Sequence, residues 1–135
     1  MTTMTPELFY TTLVTAFTAL IWMPIIVNRL LEMSIWKALK NPEPDVRPQA
    51  EWAYRLAHAH HNAVENLVVF APLALIIHVL GLGTKLTATA AALYFAARIA
   101  HVVIYTFGIP LLRTIAFVVG FGCQMVLALR ILNLV

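Results

Sequence analysis

The sequence contains few charged residues and only one cysteine. Charged residues make up 11% of its 135 residues, whereas hydrophobic residues make up 61%. One cysteine excludes an internal disulfide framework. So much apolar surface on so short a chain is more than one small soluble core could bury. The composition therefore excludes an ordinary soluble domain and indicates a membrane protein.

Four long apolar segments account for this composition, and each reaches the length of about 20 residues that a bilayer-spanning helix needs. They lack the strict alternation of barrel strands, and helices satisfy their own backbone polar groups. The first segment has no basic leader and no clear cleavage site, which favours a retained helix over a signal peptide. The sequence predicts an all-α membrane protein with one domain, residues 1–135, whose four transmembrane helices are Leu8 to Val27, Trp52 to Leu80, Leu86 to Phe107 and Leu111 to Val135.

The links between these segments are short. NPEPDVRPQ (residues 41–49) has three prolines and mixed charge, and GLGTK (81–85) and TFGIP (106–110) are typical of tight turns. Short links force neighbouring helices to run antiparallel, so an up-down-up-down bundle is expected.

The basic residues predict the orientation of the bundle. By the positive-inside rule the first and third loops are cytoplasmic and both termini lie on the other side. Topology and anionic lipid explain the net charge of +3, so no nucleic acid partner is expected. The first loop and its flanks hold five basic residues against Lys85 alone in the second loop: Arg29, Lys37, Lys40, Arg47 and Arg55.

Polar residues interrupt the second apolar segment at helical spacing. Arg55, His58, Asn62 and Glu65 are separated by three, four and three positions and share one helix face, with His61 at its edge. A carboxylate at this depth needs a partner and is expected to face the bundle interior.

The third segment offers that partner. Arg98, His101 and Tyr105 also share one face, and Arg98 is expected at the depth of Glu65. Together with Arg113 at the start of the fourth segment, they predict a cationic pocket that is open to the cytoplasm, with a buried Arg98–Glu65 ion pair at its base.

Simpler explanations exist for single members of this set. Arg55 and Arg113 could anchor helix ends at the interface, and Asn62 could join two helices. Cys123 has no base at its depth, so we interpret it as a packing residue. An intramembrane metal or haem site is a rival hypothesis that Arg98 and Arg113 oppose by their charge; its ligands would be His58, His61, Glu65 and His101.

Three stretches resemble the MAPEG superfamily, the membrane-associated proteins in eicosanoid and glutathione metabolism. AHAHHNAVENLVVF (57–70) resembles the signature of its second helix, and Asn41-Pro42-Glu43 resembles its first loop. RIAHVVIYTFGIPLLRT (98–114) is similar to the helix-three to helix-four segment of its prostaglandin-synthase-like and microsomal transferase members.

The resemblance implies a homotrimer that binds glutathione at each subunit interface, on the cytoplasmic side. It implies that Arg113 stabilises the glutathione thiolate, that Thr114 lies near the sulfur and that Arg98 is the structural partner of Glu65. The residues expected to contact glutathione by their positions are Asn62, Glu65, His101 and Tyr105.

This sequence departs from the family pattern at three positions. His58 and His61 replace arginines that grip the glutathione carboxylates, and an imidazole lacks the arginine fork and is uncharged for much of the time near neutral pH. Met33 occupies the place of a helix-one arginine, and Arg29, one turn earlier, is the candidate to replace it. Either glutathione binds more weakly here or the ligand differs.

The resemblance implies a glutathione-dependent transferase or peroxidase. Its second substrate would be a hydrophobic electrophile or hydroperoxide that arrives from the bilayer. The alternative is a non-catalytic lipid-binding or scaffold member of the same fold. The expected location is the cytoplasmic membrane of a bacterium or the endoplasmic reticulum of a eukaryote.

Overall fold

The structure, a computed structural model, describes residues 3–44 and 46–135, so Asp45 of the first loop lies outside the described residues. Four candidate spans are long and apolar enough to cross a membrane, the first of them formed by two consecutive helices. This confirms the predicted all-α architecture with four membrane helices. The elements are α1 (Pro6–Leu20), α2 (Trp22–Glu32), α3 (Ile35–Ala38), α4 (Glu51–Val79), α5 (Lys85–Phe107) and α6 (Pro110–Ile131).

The outer two segments end elsewhere than predicted. The first continues past Val27 to Glu32, and the buried Asn28 side chain donates to the Glu32 carboxylate at 2.9 Å across its last turn. The last helix ends at Ile131 instead of Val135. Asn133 adopts a left-handed conformation with φ of 57°, which closes the helix end.

The first loop is held against the start of α4 by Glu32. Its carboxylate accepts hydrogen bonds from the backbone amides of Gln49 (3.1 Å) and Ala50 (3.0 Å). These amides immediately precede α4, where helices have unpaired N–H groups. Glu32 therefore fixes the end of the loop next to the polar part of α4.

Both predicted turns are present. Thr84 and Thr87 form a capping box at the start of α5. Gly108 ends α5 with φ of 77°, a conformation that glycine adopts without steric cost. These short turns bring α4, α5 and α6 together as consecutive neighbours.

Helix α5 lies at the centre of the bundle, where it packs most extensively on α6 and also contacts α1 and α4. The rings of Phe70 and Tyr94 stack at a centroid distance of 3.8 Å. Gly120 of α6 lies against this helix, and an added Cβ would lie 3.6 Å from the Arg98 side chain, at van der Waals contact. Ala116 and Cys123 are buried beside it, as expected for a seam of small residues.

Candidate functional site

Arg98 lies in the interior of the bundle, with only 1% of its surface exposed. Its Nη2 donates to the Asn62 side-chain oxygen on α4 at 2.6 Å and lies 3.3 Å from His101 Nδ1. Its Nε and Nη1 atoms are buried without a hydrogen-bond partner among the described residues. An arginine this deep links α4 to α5 through a charge-assisted hydrogen bond.

The predicted Arg98–Glu65 ion pair does not form within the described chain. Glu65 instead lies 3.1 Å from His61 Nε2, and both side chains are largely exposed, 60% and 77% respectively. Asn62 takes the place of Glu65 as the partner of Arg98. The prediction of a single pocket within one chain, with an Arg98–Glu65 ion pair at its base, is therefore wrong.

The rotation of α4 explains this difference. The buried face of the helix includes Leu56, Ala59, Ala63 and Phe70. Successive residues are about 100° apart, so Asn62 lies at the border of that face whereas His58, His61 and Glu65 lie beyond it. Periodicity identified the shared polar face correctly, but it could not show which edge of that face enters the bundle.

The other polar residues meet between α5 and α6. The Arg113 guanidinium carbon lies 4.6 Å from the centre of the Tyr105 ring. The rings of His101 and Tyr105 pack edge to face, with their centroids 5.5 Å apart. Thr114 lies in the first turns of α6. A cleft of about 200 Å³ is lined by these four residues and Phe117. The structure thus brings together His101, Tyr105, Arg113 and Thr114.

The remaining candidate residues lie apart from this cleft. His58 packs edge to face on Tyr54 at 4.6 Å. Arg55 donates through Nε to the Thr106 carbonyl at 2.9 Å, so it holds the end of α5. Arg29 lines a cleft beneath the first loop, next to Ala57 of α4.

The rival metal site is not assembled. Among residues 3–44 and 46–135, no three His, Cys, Asp or Glu side chains are grouped so that they could hold a metal ion. His101 is 3% exposed and faces Arg98, whereas His58, His61 and Glu65 are exposed on α4. Cys123 is buried and unpaired, consistent with a packing role.

Sequence reasoning missed two members of the polar network. Asn66 is buried one turn after Asn62 and donates to its backbone carbonyl at 2.9 Å. Gln124 of α6 donates to the Asn66 carbonyl at 3.1 Å. The position of Asn66, one turn after Asn62, could have identified it as a member of the network. Gln124 stands alone in an apolar segment, so its sequence position gave no such signal. These two residues extend the Arg98 network to α6.

Comparison with known proteins agrees with this arrangement. The model of the MAPEG family matches residues 8–133, nearly the whole chain. No curated protein matches the chain. Because the match spans all four membrane helices, the chain belongs to the MAPEG family and is an integral, multi-pass membrane protein.

Proposed function

We propose that the protein is a glutathione-dependent membrane transferase or peroxidase, with its binding site shared between subunits of a homotrimer. The MAPEG family includes glutathione transferases and peroxidases as well as members that do not use glutathione. The observation that supports the first group most directly is the pairing of Arg113 with Tyr105 in an open cleft.

The exposed polar face of α4 supports a site shared between subunits. His58, His61 and Glu65 are exposed within a helix that spans the membrane. Ionisable groups in a span are costly against lipid and normally face protein or water. If a neighbouring copy covered this face, the polar residues of α4 in one subunit would lie against the Arg113 cleft of the next subunit.

The polar residues of the α4 face and of the Arg113 cleft suit glutathione, which carries two carboxylates, an amine and a thiol. The cleft of about 200 Å³ in one chain is smaller than typical small-molecule sites, which measure about 300–1,000 Å³. It would hold the cysteinyl part, while the α4 face of a neighbouring subunit would hold the carboxylates through His58 and His61. Asn62 and Glu65 on the same face would contact the rest of the tripeptide.

The chemistry of the cleft depends on its cation. Bound glutathione would supply the sulfur nucleophile that attacks an electrophilic carbon or a hydroperoxide oxygen. Arg113 would stabilise the thiolate, and a decrease of two units in a thiol pKa corresponds to about 2.7 kcal/mol. The Tyr105 hydroxyl would donate a hydrogen bond, and Thr114 would lie beside the sulfur. His101 and Arg98 would hold Tyr105 and α4 in place.

Arg29 is not included in this site. It lines clefts beneath the first loop with Met33 and does not line the Arg113 cleft. A role for Arg29 in binding a glutathione carboxylate therefore stays a prediction from the sequence.

Titration of the detergent-purified protein with glutathione tests the proposal. We expect a saturable thiolate absorbance near neutral pH that Arg113→Ala abolishes. Arg130→Ala is the matched control, because Arg130 donates to the Leu82 and Val135 carbonyls instead of lining the cleft. Absence of binding at millimolar glutathione would refute the proposal and favour a family member that uses another ligand.

Complementation tests whether the site is shared. Chains with His58→Ala and His61→Ala are mixed with Arg113→Ala chains, each variant alone giving no thiolate signal. If half-sites join across subunits, random mixing at equal amounts restores roughly a quarter of the sites, because each half is intact with a probability of about one half. If each site lies within one chain, mixing restores none.

A further inference from the structure

A second polar cleft lies beneath the first loop and is separate from the Arg113 cleft. It measures about 330 Å³. Three cationic side chains line it, namely Arg29 from α2, Lys37 from α3 and Lys40 from the loop, against the single carboxylate of Glu43. Its lining therefore has an excess of positive charge.

The acid nearest to these cations in sequence does not neutralise them. Glu32 is engaged with the Asn28 side chain and with the two amides before α4. Within the described part of the chain, Arg29, Lys37 and Lys40 form no ion pair. The Nε atom of Arg29 is buried and has no hydrogen-bond partner among the described residues. The cleft thus offers donors that need an anionic acceptor.

The segment of chain that supplies the cations of this cleft also carries exposed apolar side chains. Leu31 at the end of α2 is 82% exposed and Trp36 on α3 is 80% exposed, and Ile35 and Leu39 are exposed with them. Leu31 lies in the last turn of a membrane span, and the other three residues follow directly after that span. Tryptophan is enriched at membrane interfaces, and short amphipathic segments lie in the interface plane with lysines toward water. Cationic cleft and apolar flank therefore stand side by side at one bilayer surface.

We propose that this cleft binds the phosphate headgroup of an anionic phospholipid in the leaflet on the side of the first loop. Arg29, Lys37 and Lys40 bind the phosphate oxygens, and an acyl chain lies along Leu31 and Ile35. The exposed apolar flank favours a lipid over free phosphate, because free phosphate gives those side chains nothing to contact. The proposal does not depend on glutathione binding.

Native mass spectrometry of the detergent-purified protein tests this proposal. The probes are phosphatidylglycerol and phosphatidylcholine with the same acyl chains. We expect Lys37→Gln and Lys40→Gln each to weaken phosphatidylglycerol binding roughly fivefold, as expected for removal of one interfacial cation. Both lysines are exposed, so the variants are expected to fold. Lys85→Gln, the same charge change at the opposite end of the bundle, is expected to leave binding unchanged.

Three results would overturn the proposal. Equal retention of the two lipids by the wild-type protein would show that the headgroup charge is not recognised. An equal loss in Lys85→Gln would show that net charge alone attracts the lipid. Displacement of the lipid by an equal concentration of glycerol 3-phosphate would show that the cleft takes a free phosphate ester. Thiolate formation by bound glutathione is measured independently, so the two proposals can fail separately.

Discussion

Replacement of Asn62 tests its hydrogen bond with Arg98, which the structure has in place of the predicted Arg98–Glu65 ion pair. Among the described residues, Asn62 is the only residue of α4 that hydrogen-bonds the Arg98 guanidinium, at 2.6 Å. Two of the three guanidinium nitrogens are already without a partner, and Arg98 is 1% exposed. In Asn62→Leu, His101 Nδ1 at 3.3 Å would be the one side-chain hydrogen-bond partner left to this buried cation among the described residues.

The structure permits an estimate of the loss. A hydrogen bond to a charged group contributes about 1.5–3 kcal/mol, and a buried unpaired donor adds its desolvation cost. We therefore expect Asn62→Leu to lower the free energy of unfolding by about 2–3 kcal/mol, roughly a 30- to 150-fold change in the unfolding equilibrium. Asn62→Asp retains the acceptor and adds an opposite charge, so it is expected to lose less.

The assay is titration of the purified protein with sodium dodecyl sulfate, followed by tryptophan fluorescence. Asn41→Leu is the matched control, because Asn41 is exposed in the first loop and its side chain forms no hydrogen bond in the described chain. A loss below about 0.5 kcal/mol in Asn62→Leu, the range of ordinary surface substitutions, would refute the reasoning. A greater loss in Asn62→Asp than in Asn62→Leu would also refute it.

Two further stability predictions have matched controls in the chain. Gly120→Leu places a side chain against the buried Arg98 of α5 and is expected to lower the free energy of unfolding by about 1–3 kcal/mol. Gly122→Leu is the control, because an added Cβ there meets nothing within 4 Å. Equal stability of the two variants in the same titration would contradict the prediction. Thr87→Val removes the 2.6 Å hydrogen bond to the buried Glu7 carboxylate together with the capping-box bond from the Thr84 amide at 2.8 Å, and it is expected to cost about 1.5–3 kcal/mol. The hydroxyl of Thr89 is exposed and donates to the Lys85 carbonyl of its own helix, so Thr89→Val is expected to stay within about 0.5 kcal/mol. A similar loss in both variants would contradict the stabilising role of the two Thr87 hydrogen bonds.

Much of the site could be predicted from helical periodicity. The spacing of Arg98, His101 and Tyr105 placed them on one face, and the structure brings His101 and Tyr105 together at 5.5 Å. Arg113 was expected at the same end of the bundle and lies over the Tyr105 ring. These predictions succeeded because helical geometry and a short turn between α5 and α6 leave few other arrangements.

Partner choice between helices could not be predicted in the same way. Asn62 and Glu65 are both suitable acceptors for Arg98 and differ by three positions on one helix face. A rotation of α4 by about 60° would exchange them, since each residue turns the helix by about 100°. That rotation depends on how Ala59, Ala63 and Phe70 pack against the rest of the bundle.

The sequence by itself determined that the chain is a membrane protein, the number of its membrane spans and the positions of its turns. Each of these follows from local properties, namely apolar length, glycine and proline positions, and backbone hydrogen bonding within a segment. Only the tertiary structure decided that Arg98 bonds Asn62, that Glu65 and two histidines face outward, and that Gln124 joins the network. These contacts depend on the rotation of each helix about its axis, which is fixed by the packing of side chains from distant parts of the chain.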